Sequence, residues 1–199
     1  MIIDDICGPN AIHYLFKNKL PPNLVNIPEP IQIYNQLKAG CAITKRGFIG
    51  PEMMDYLSSE GVTNGRAKFY IHSTQTFDWK KIKSAIDRME PVLINYHIPE
   101  DLASVMLSIT GRPMMFHYMI TTHRADGLVF NRNDWPHIPR VAISEKFYKN
   151  NRWWNNPFFI TSAFIIDKVR MVYGENITQK RHSYIRRLWN LRNQLKVWR

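Results

Sequence analysis

The sequence predicts an α+β domain, with helices first, an antiparallel sheet after them and a terminal helix. Three observations carry that expectation. Apolar residues recur at three- and four-residue steps through the N-terminal third, β-prone runs bounded by turn residues fill the middle, and helical spacing returns after residue 178.

Each element follows from local chemistry. In CGPNAIHYLFKNK, residues Ala11, Tyr14 and Leu15 share a helical face, and Leu20-Pro21-Pro22 breaks the run. Cys7 therefore falls just before, or in, the first turn of a helix. PEPIQIYNQLKAG predicts a helix opening at Pro30 and closing at Gly40, and GPEMMDYLSSEG another with Pro51 in its first turn and Gly61 as its stop. KFYIHS (68–73) and PVLINYHI (91–98) read as strands, with the amphipathic DWKKIKSAIDRM as a helix between them. MMFHYMITTHRADGLVFNRN (114–133) holds two β-prone runs around Asp126-Gly127, a dipeptide suited to a hairpin turn. PFFITSAFIID (157–167) is a further strand. From Thr178 to Trp198, residues Tyr184, Leu188, Leu191, Leu195 and Trp198 form a helical stripe.

Composition bounds the classes of function. A chain of 199 residues with 45% hydrophobic and 22% charged residues has the apolar material for a core, so a disordered chain is excluded. Its length fits one domain, expected over 1–175, with a basic helical tail over 176–199 that belongs to it. No run approaches the roughly 20 apolar residues of a membrane span, and MIIDDICGPN has neither the basic start nor the long apolar core of a signal peptide. The expectation is a protein cytoplasmic when made, leaving the cell, if at all, by a non-Sec route or in a virion. Of the net charge of +11, eight units lie in residues 168–199, where nine Lys and Arg face the single Glu175.

The residues suited to chemistry are a thiol and an imidazole. A nucleophilic cysteine needs a depressed pKa, which a helix N-terminus and a nearby histidine supply by stabilising thiolate. Cys7 meets the first condition by position. His117 sits in the first strand of the hairpin, and an amide or carboxylate from the second strand would orient it. Asn133 is the first candidate for that task. Asn131 shares its strand face.

CGPNA at a helix start, the GFIGPEMMDYLSSEG stretch, the PVLINY strand and FHYMI before a hairpin together resemble the papain-like cysteine peptidases. Within that clan the chain is most similar to the peptidases that process double-glycine bacteriocin leaders and to their stand-alone relatives. The resemblance covers roughly residues 5–135. It implies a papain-like fold, with Cys7 as nucleophile, His117 as general base and Asn133, in an RNDW segment like the papain-type Asn-Ser-Trp, as the orienting residue, with Trp135 shielding it. In the bacteriocin-leader group an Asp orients the histidine, so Asp134 is the substitute and Asn131 a weaker one. One departure stands out: the family's oxyanion-hole Gln, about six residues before the Cys, falls on Met1 here. Loss of one such donor costs on the order of 100- to 1000-fold. Either another amide such as Asn10 substitutes, or the chain is a weak or silent relative.

Two function classes follow. The first is a thiol hydrolase acting on a peptide or protein substrate, by cleavage, deamidation or acyl transfer. The second is a silent papain-like binding module held to an acidic partner by the 178–199 helix, whether nucleic acid, anionic lipid or acidic protein. No cofactor is expected: there is no phosphate-binding glycine loop, and the histidines His13, His72, His97, His123, His137 and His182 show no HxH or HExxH spacing for a metal. Cys41, in AGCAIT, reads as a core thiol. The RWWNNPFF stretch reads as a core or dimer contact, with a base-stacking platform beside Arg152 as the second reading.

Overall fold

A seven-stranded antiparallel sheet forms the centre of the molecule, in the order β3-β4-β9-β5-β6-β7-β8. The computed structural model describes residues 6–21, 26–41, 43–44, 47–97, 116–135, 138–149 and 159–173. In chain order these form α1 (Cys7–Lys19), α2 (Pro30–Gly40), a two-stranded ribbon of β1 (Ile43–Thr44) and β2 (Gly47–Phe48), and α3 (Gly50–Ser59). Then come β3 (Val62–Thr63), β4 (Ala67–Gln75), α4 (Trp79–Asp87), β5 (Val92–His97), β6 (Phe116–Ala125), β7 (Leu128–Trp135), β8 (Ile138–Ser144), the short α5 (Glu145–Lys149) and β9 (Phe159–Tyr173). The expected α+β class is the one observed. The basic helix over 178–199 and residues 152–158 of the RWWNNPFF stretch lie outside the described residues.

Local chemistry accounts for the element ends. Pro30 opens α2 behind a capping box in which the Glu29 N–H donates to Gln32 Oε1 at 2.9 Å. Asp78 caps α4 by accepting from the Lys80 N–H at 2.8 Å, an arrangement worth about 1 kcal/mol. In the β6–β7 hairpin, Asp126 and Gly127 both take positive φ, 51° and 72°, the backbone that a two-residue turn needs to match strand twist.

The sheet is covered on both faces. On one side α1, α2 and α3 bury Ile12, Leu15, Phe16, Ile33, Leu37, Met53 and Leu57 against Leu93, Tyr118, Ile120 and Phe164. On the other, α4 and α5 bury Ile82, Ala85, Ile86 and Tyr148 against Val92, Ile94, Tyr96 and Met119. This double cover explains why PVLINYH reads as a nearly unbroken apolar run: Val92 to Tyr96 are all buried. Among the described residues no helix is long and apolar enough to cross a membrane.

Two features depart from the sequence reading. The β4–α4–β5 passage does not join neighbouring strands, because β9 inserts between β4 and β5 and pairs antiparallel with both. The chain also adds β8 and α5, which follow the hairpin and extend the sheet beyond β7.

Candidate active site

The site is built where the start of α1 meets the start of β6. Cys7 is the first residue of α1, whose N-cap position, Ile6, provides no side-chain hydrogen bond and whose first turn holds no acidic residue. That end of the helix dipole is therefore left electropositive beside the thiol, which favours thiolate. Asn10 lies in the same first turn, its N–H donating to Ile6 O at 2.8 Å.

His117 is the second residue of β6 and Asn133 lies on the adjoining β7. Their side chains meet: His117 Nε2 and Asn133 Oδ1 are 2.5 Å apart, with the two residues 1% and 3% exposed. An amide oxygen accepts, so Nε2 donates, and the neutral ring carries its lone pair on Nδ1, which is also withdrawn from solvent. This is the tautomer a general base needs if Nδ1 is to face the thiol. The structure brings His117 and Asn133 together. The Asp134 side chain lies outside the described residues, as does that of Trp135.

Asn131 has a different setting. Its Oδ1 accepts from Thr121 Oγ1 at 2.8 Å and from Tyr96 OH at 3.3 Å, and its Nδ2 donates to Tyr148 OH at 3.0 Å and Val129 O at 3.2 Å. Tyr96 and Tyr148 are themselves joined, hydroxyl to hydroxyl, at 2.7 Å. Burial pushes the Tyr148 phenol up to about 12, while its bonds to Tyr96 and Asn131 pull it the other way; Tyr96 is raised further still. These hydroxyls stay protonated across any ordinary pH. Asn131 is committed to a buried polar network that ties β5, β6 and β7 to α5, and it does not orient His117.

Cys7 connects to this pair through Tyr118, the residue after His117. The Tyr118 ring lies against the first turn of α1, its Cδ2 3.5 Å from where a Cβ on Gly8 would stand. Its hydroxyl donates to Phe48 O at 2.9 Å. Burial first, and the charge of Cys7 second, raise the Tyr118 phenol above the ordinary range. Strand alternation sends Tyr118 toward α1, as it does Arg132, whose guanidinium stacks 4.4 Å from the Tyr14 ring centre. The same alternation sends His117, Asn131 and Asn133 to the other side, where His117 pairs with Tyr96. The start of α1 and the Phe116 end of β6 thus lie close together, with Tyr118 between the helix and the strand.

No protein-family model matches the sequence, and no curated protein does. Among solved structures the chain is similar to the peptidase domain of Streptococcus ComA, a bi-functional ABC transporter involved in a quorum-sensing pathway. The TM-score is 0.49 and the identity 11%, over 87% of this chain and 96% of that one.

The second thiol contrasts with the first. Cys41 follows α2, donates weakly to Glu52 O at 3.7 Å, and is pushed up to about 11 by burial and by the negative charge of Glu52. It is a protonated, inert thiol at neutral pH. Among the described residues no group of three His, Cys, Asp or Glu side chains could hold a metal ion.

Tyr118 and the residues around it were not singled out by sequence reasoning. Asn95, which pairs with Tyr118 from β5, and Ser162, which pairs with Asn95 from β9, are 6% and 3% exposed, and Asn95 Oδ1 and Ser162 Oγ have no hydrogen-bond partner among the described residues. The one signal in the sequence was parity: Tyr118 directly follows His117 and must point to the opposite face.

Proposed function

We propose that the protein is a papain-like thiol hydrolase acting on peptide or amide bonds, with Cys7 as nucleophile, His117 as general base and Asn133 as its orienting residue. The observation that carries the reading is the buried His117–Asn133 pair, formed one residue from the tyrosine against which the Cys7-bearing helix start packs. Neither half would be informative alone, since buried cysteines and buried histidines are common in cores.

In this mechanism His117 Nδ1 takes the Cys7 thiol proton while Nε2 stays bonded to Asn133 Oδ1. The thiolate adds to the substrate carbonyl carbon, and the tetrahedral oxyanion is held by backbone N–H groups at the α1 start. The imidazolium gives its proton to the departing amine, the C–N bond breaks and a thioester remains on Cys7. Water, deprotonated by His117, then cleaves the thioester and restores the thiol. A neutral amide on the histidine holds its tautomer without adding charge to the site, consistent with the burial of both residues.

The test is capture of the acyl-enzyme stage. Incubation with a panel of peptides bearing a C-terminal aldehyde or vinyl sulfone, read by intact mass and peptide mapping, should give one adduct per chain, on Cys7. A protein that takes no adduct, or takes it equally on Cys41, is not a thiol hydrolase.

A further inference from the structure

We propose that Tyr118 is the positioning residue of the thiol: it clamps the first turn of α1 and the entry to α3 onto β6, fixing where Cys7 stands relative to His117. This rests on the hydrolase reading and adds to it a residue that neither the Cys–His–Asn order nor the helix position of Cys7 requires.

Three contacts make the clamp. The first turn of α1 packs directly on the ring: a Cβ at Gly8 would stand in van der Waals contact with it, 3.5 Å from Tyr118 Cδ2, and 3.3 Å from Met53 Sδ. The hydroxyl donates to Phe48 O at 2.9 Å, just before α3 begins at Gly50. At Gly50 the approach is closer: a Cβ would stand 2.6 Å from Ser162 Oγ and 3.2 Å from Tyr118 OH. One side chain thus joins the start of α1 and the entry to α3 to its own strand, β6, with Gly50 giving the space at α3.

The clamp matters because of how the thiolate is stabilised. The α1 dipole travels with Cys7, so its contribution survives a shift of the helix. The imidazole's contribution does not, because it falls with separation and is set by the placement of α1 on β6. With His117 facing the other side of the strand, that placement decides whether thiol and ring meet round the strand end. Displacements near 1 Å in such pairs cost up to about 100-fold in rate.

The experiment measures the pH midpoint of Cys7 alkylation by iodoacetamide, followed by peptide mapping, in four variants and the wild type. Tyr118→Leu removes the aromatic clamp but keeps an apolar side chain, Tyr118→Ala removes more, and Tyr118→Phe keeps the ring. Ile120→Ala lies on the same strand and face, and reports general loosening of that core. The wild-type midpoint is expected below about 7, against about 8.5 for an ordinary thiol. Tyr118→Leu and Tyr118→Ala should raise it by a unit or more. Tyr118→Phe should restore it to within a few tenths, and Ile120→Ala should leave it in place while lowering the melting temperature. A depressed wild-type midpoint that Tyr118→Leu leaves unchanged overturns the clamp and leaves the hydrolase reading intact, and so does an equal rise in Ile120→Ala. An ordinary midpoint in the wild type overturns the hydrolase reading itself, and the clamp with it.

Discussion

Replacing Asn131 and Asn133 in turn should separate stability from chemistry, because two asparagines two residues apart on β7 hold unrelated partners. Asn131→Ala strands two hydroxyl protons. Thr121 Oγ1, fully buried, loses its acceptor at 2.8 Å. Tyr96 and Tyr148 can share one proton between their oxygens at 2.7 Å, but the second proton then has lost the Asn131 Oδ1 acceptor. Each unsatisfied buried donor costs roughly 1–3 kcal/mol, so the variant should lose about 2–4 kcal/mol. For a chain of this size that is a fall of roughly 5–15 °C in melting temperature. Asn133→Ala leaves one buried donor, the His117 Nε2–H, without its acceptor and removes an Nδ2 that has no partner among the described residues, so its stability loss should be about 1–2 kcal/mol, smaller than that of Asn131→Ala. Its effect should fall instead on Cys7, with alkylation at pH 6.5 slowed about tenfold or more as the imidazole loses its fixed tautomer. Thermal melts by circular dichroism and mapped alkylation rates give both numbers on the same samples. If Asn131→Ala slowed Cys7 while melting like the wild type, or Asn133→Ala melted early with Cys7 kinetics unchanged, the assignment of the two asparagines would be refuted.

Cys41, held at about 11, should alkylate roughly 20-fold slower than an ordinary thiol at pH 7.5 once the higher nucleophilicity of a more basic thiolate is included, and His117→Ala should not change that rate. The Asp87 carboxyl is held at about 2 by hydrogen bonds from Arg124 first and Lys83 second. Because the folded value is depressed, the stabilisation is full above the unfolded value near 4 and lost as pH falls through about 2. Melting curves of wild type and Asp87→Asn should therefore differ above pH 4, converge toward pH 2, and differ less in high salt; parallel curves across that range would remove the ion pair as a contributor. Deleting residues 178–199, which carry seven of the nine Lys and Arg of the basic C-terminal stretch, should abolish retention on heparin at low salt; unchanged elution would show that the stretch attracts no polyanion.

What the sequence made legible was local. The α1, α2 and α3 spans follow from proline and glycine punctuation, α4 from the amphipathic DWKKIKSAIDRM run, and the β6–β7 hairpin from Asp126-Gly127, since each is fixed by interactions within a few residues. His117 and Asn133 were readable as candidates because the hairpin puts them on adjoining strands, but the register was not: with Thr121 opposite Asn131 and Ile120 opposite Arg132, the two meet diagonally rather than as a direct pair. Strand order was not readable. The insertion of β9 between β4 and β5 depends on pairings such as Tyr70 with Arg170 and Asn95 with Ser162, remote in sequence and without local signature. β8 was obscured by Pro139, which argues against a central strand but is tolerated at the edge that β8 occupies. The network around Asn131 was hidden because Tyr96, Thr121 and Tyr148 come from three separate elements, and turn-prone asparagines look alike in a sequence.

The most direct test of the account is the pH dependence of Cys7 alkylation in wild type and His117→Ala between pH 5 and 9. A thiol paired with the imidazole should react at a nearly constant rate down to about pH 6 in the wild type, and in His117→Ala should lose about tenfold per pH unit below 8, as an ordinary thiol does. Superimposable profiles in the two proteins would show that His117 does not act on Cys7, and the proposed catalytic pair would be wrong.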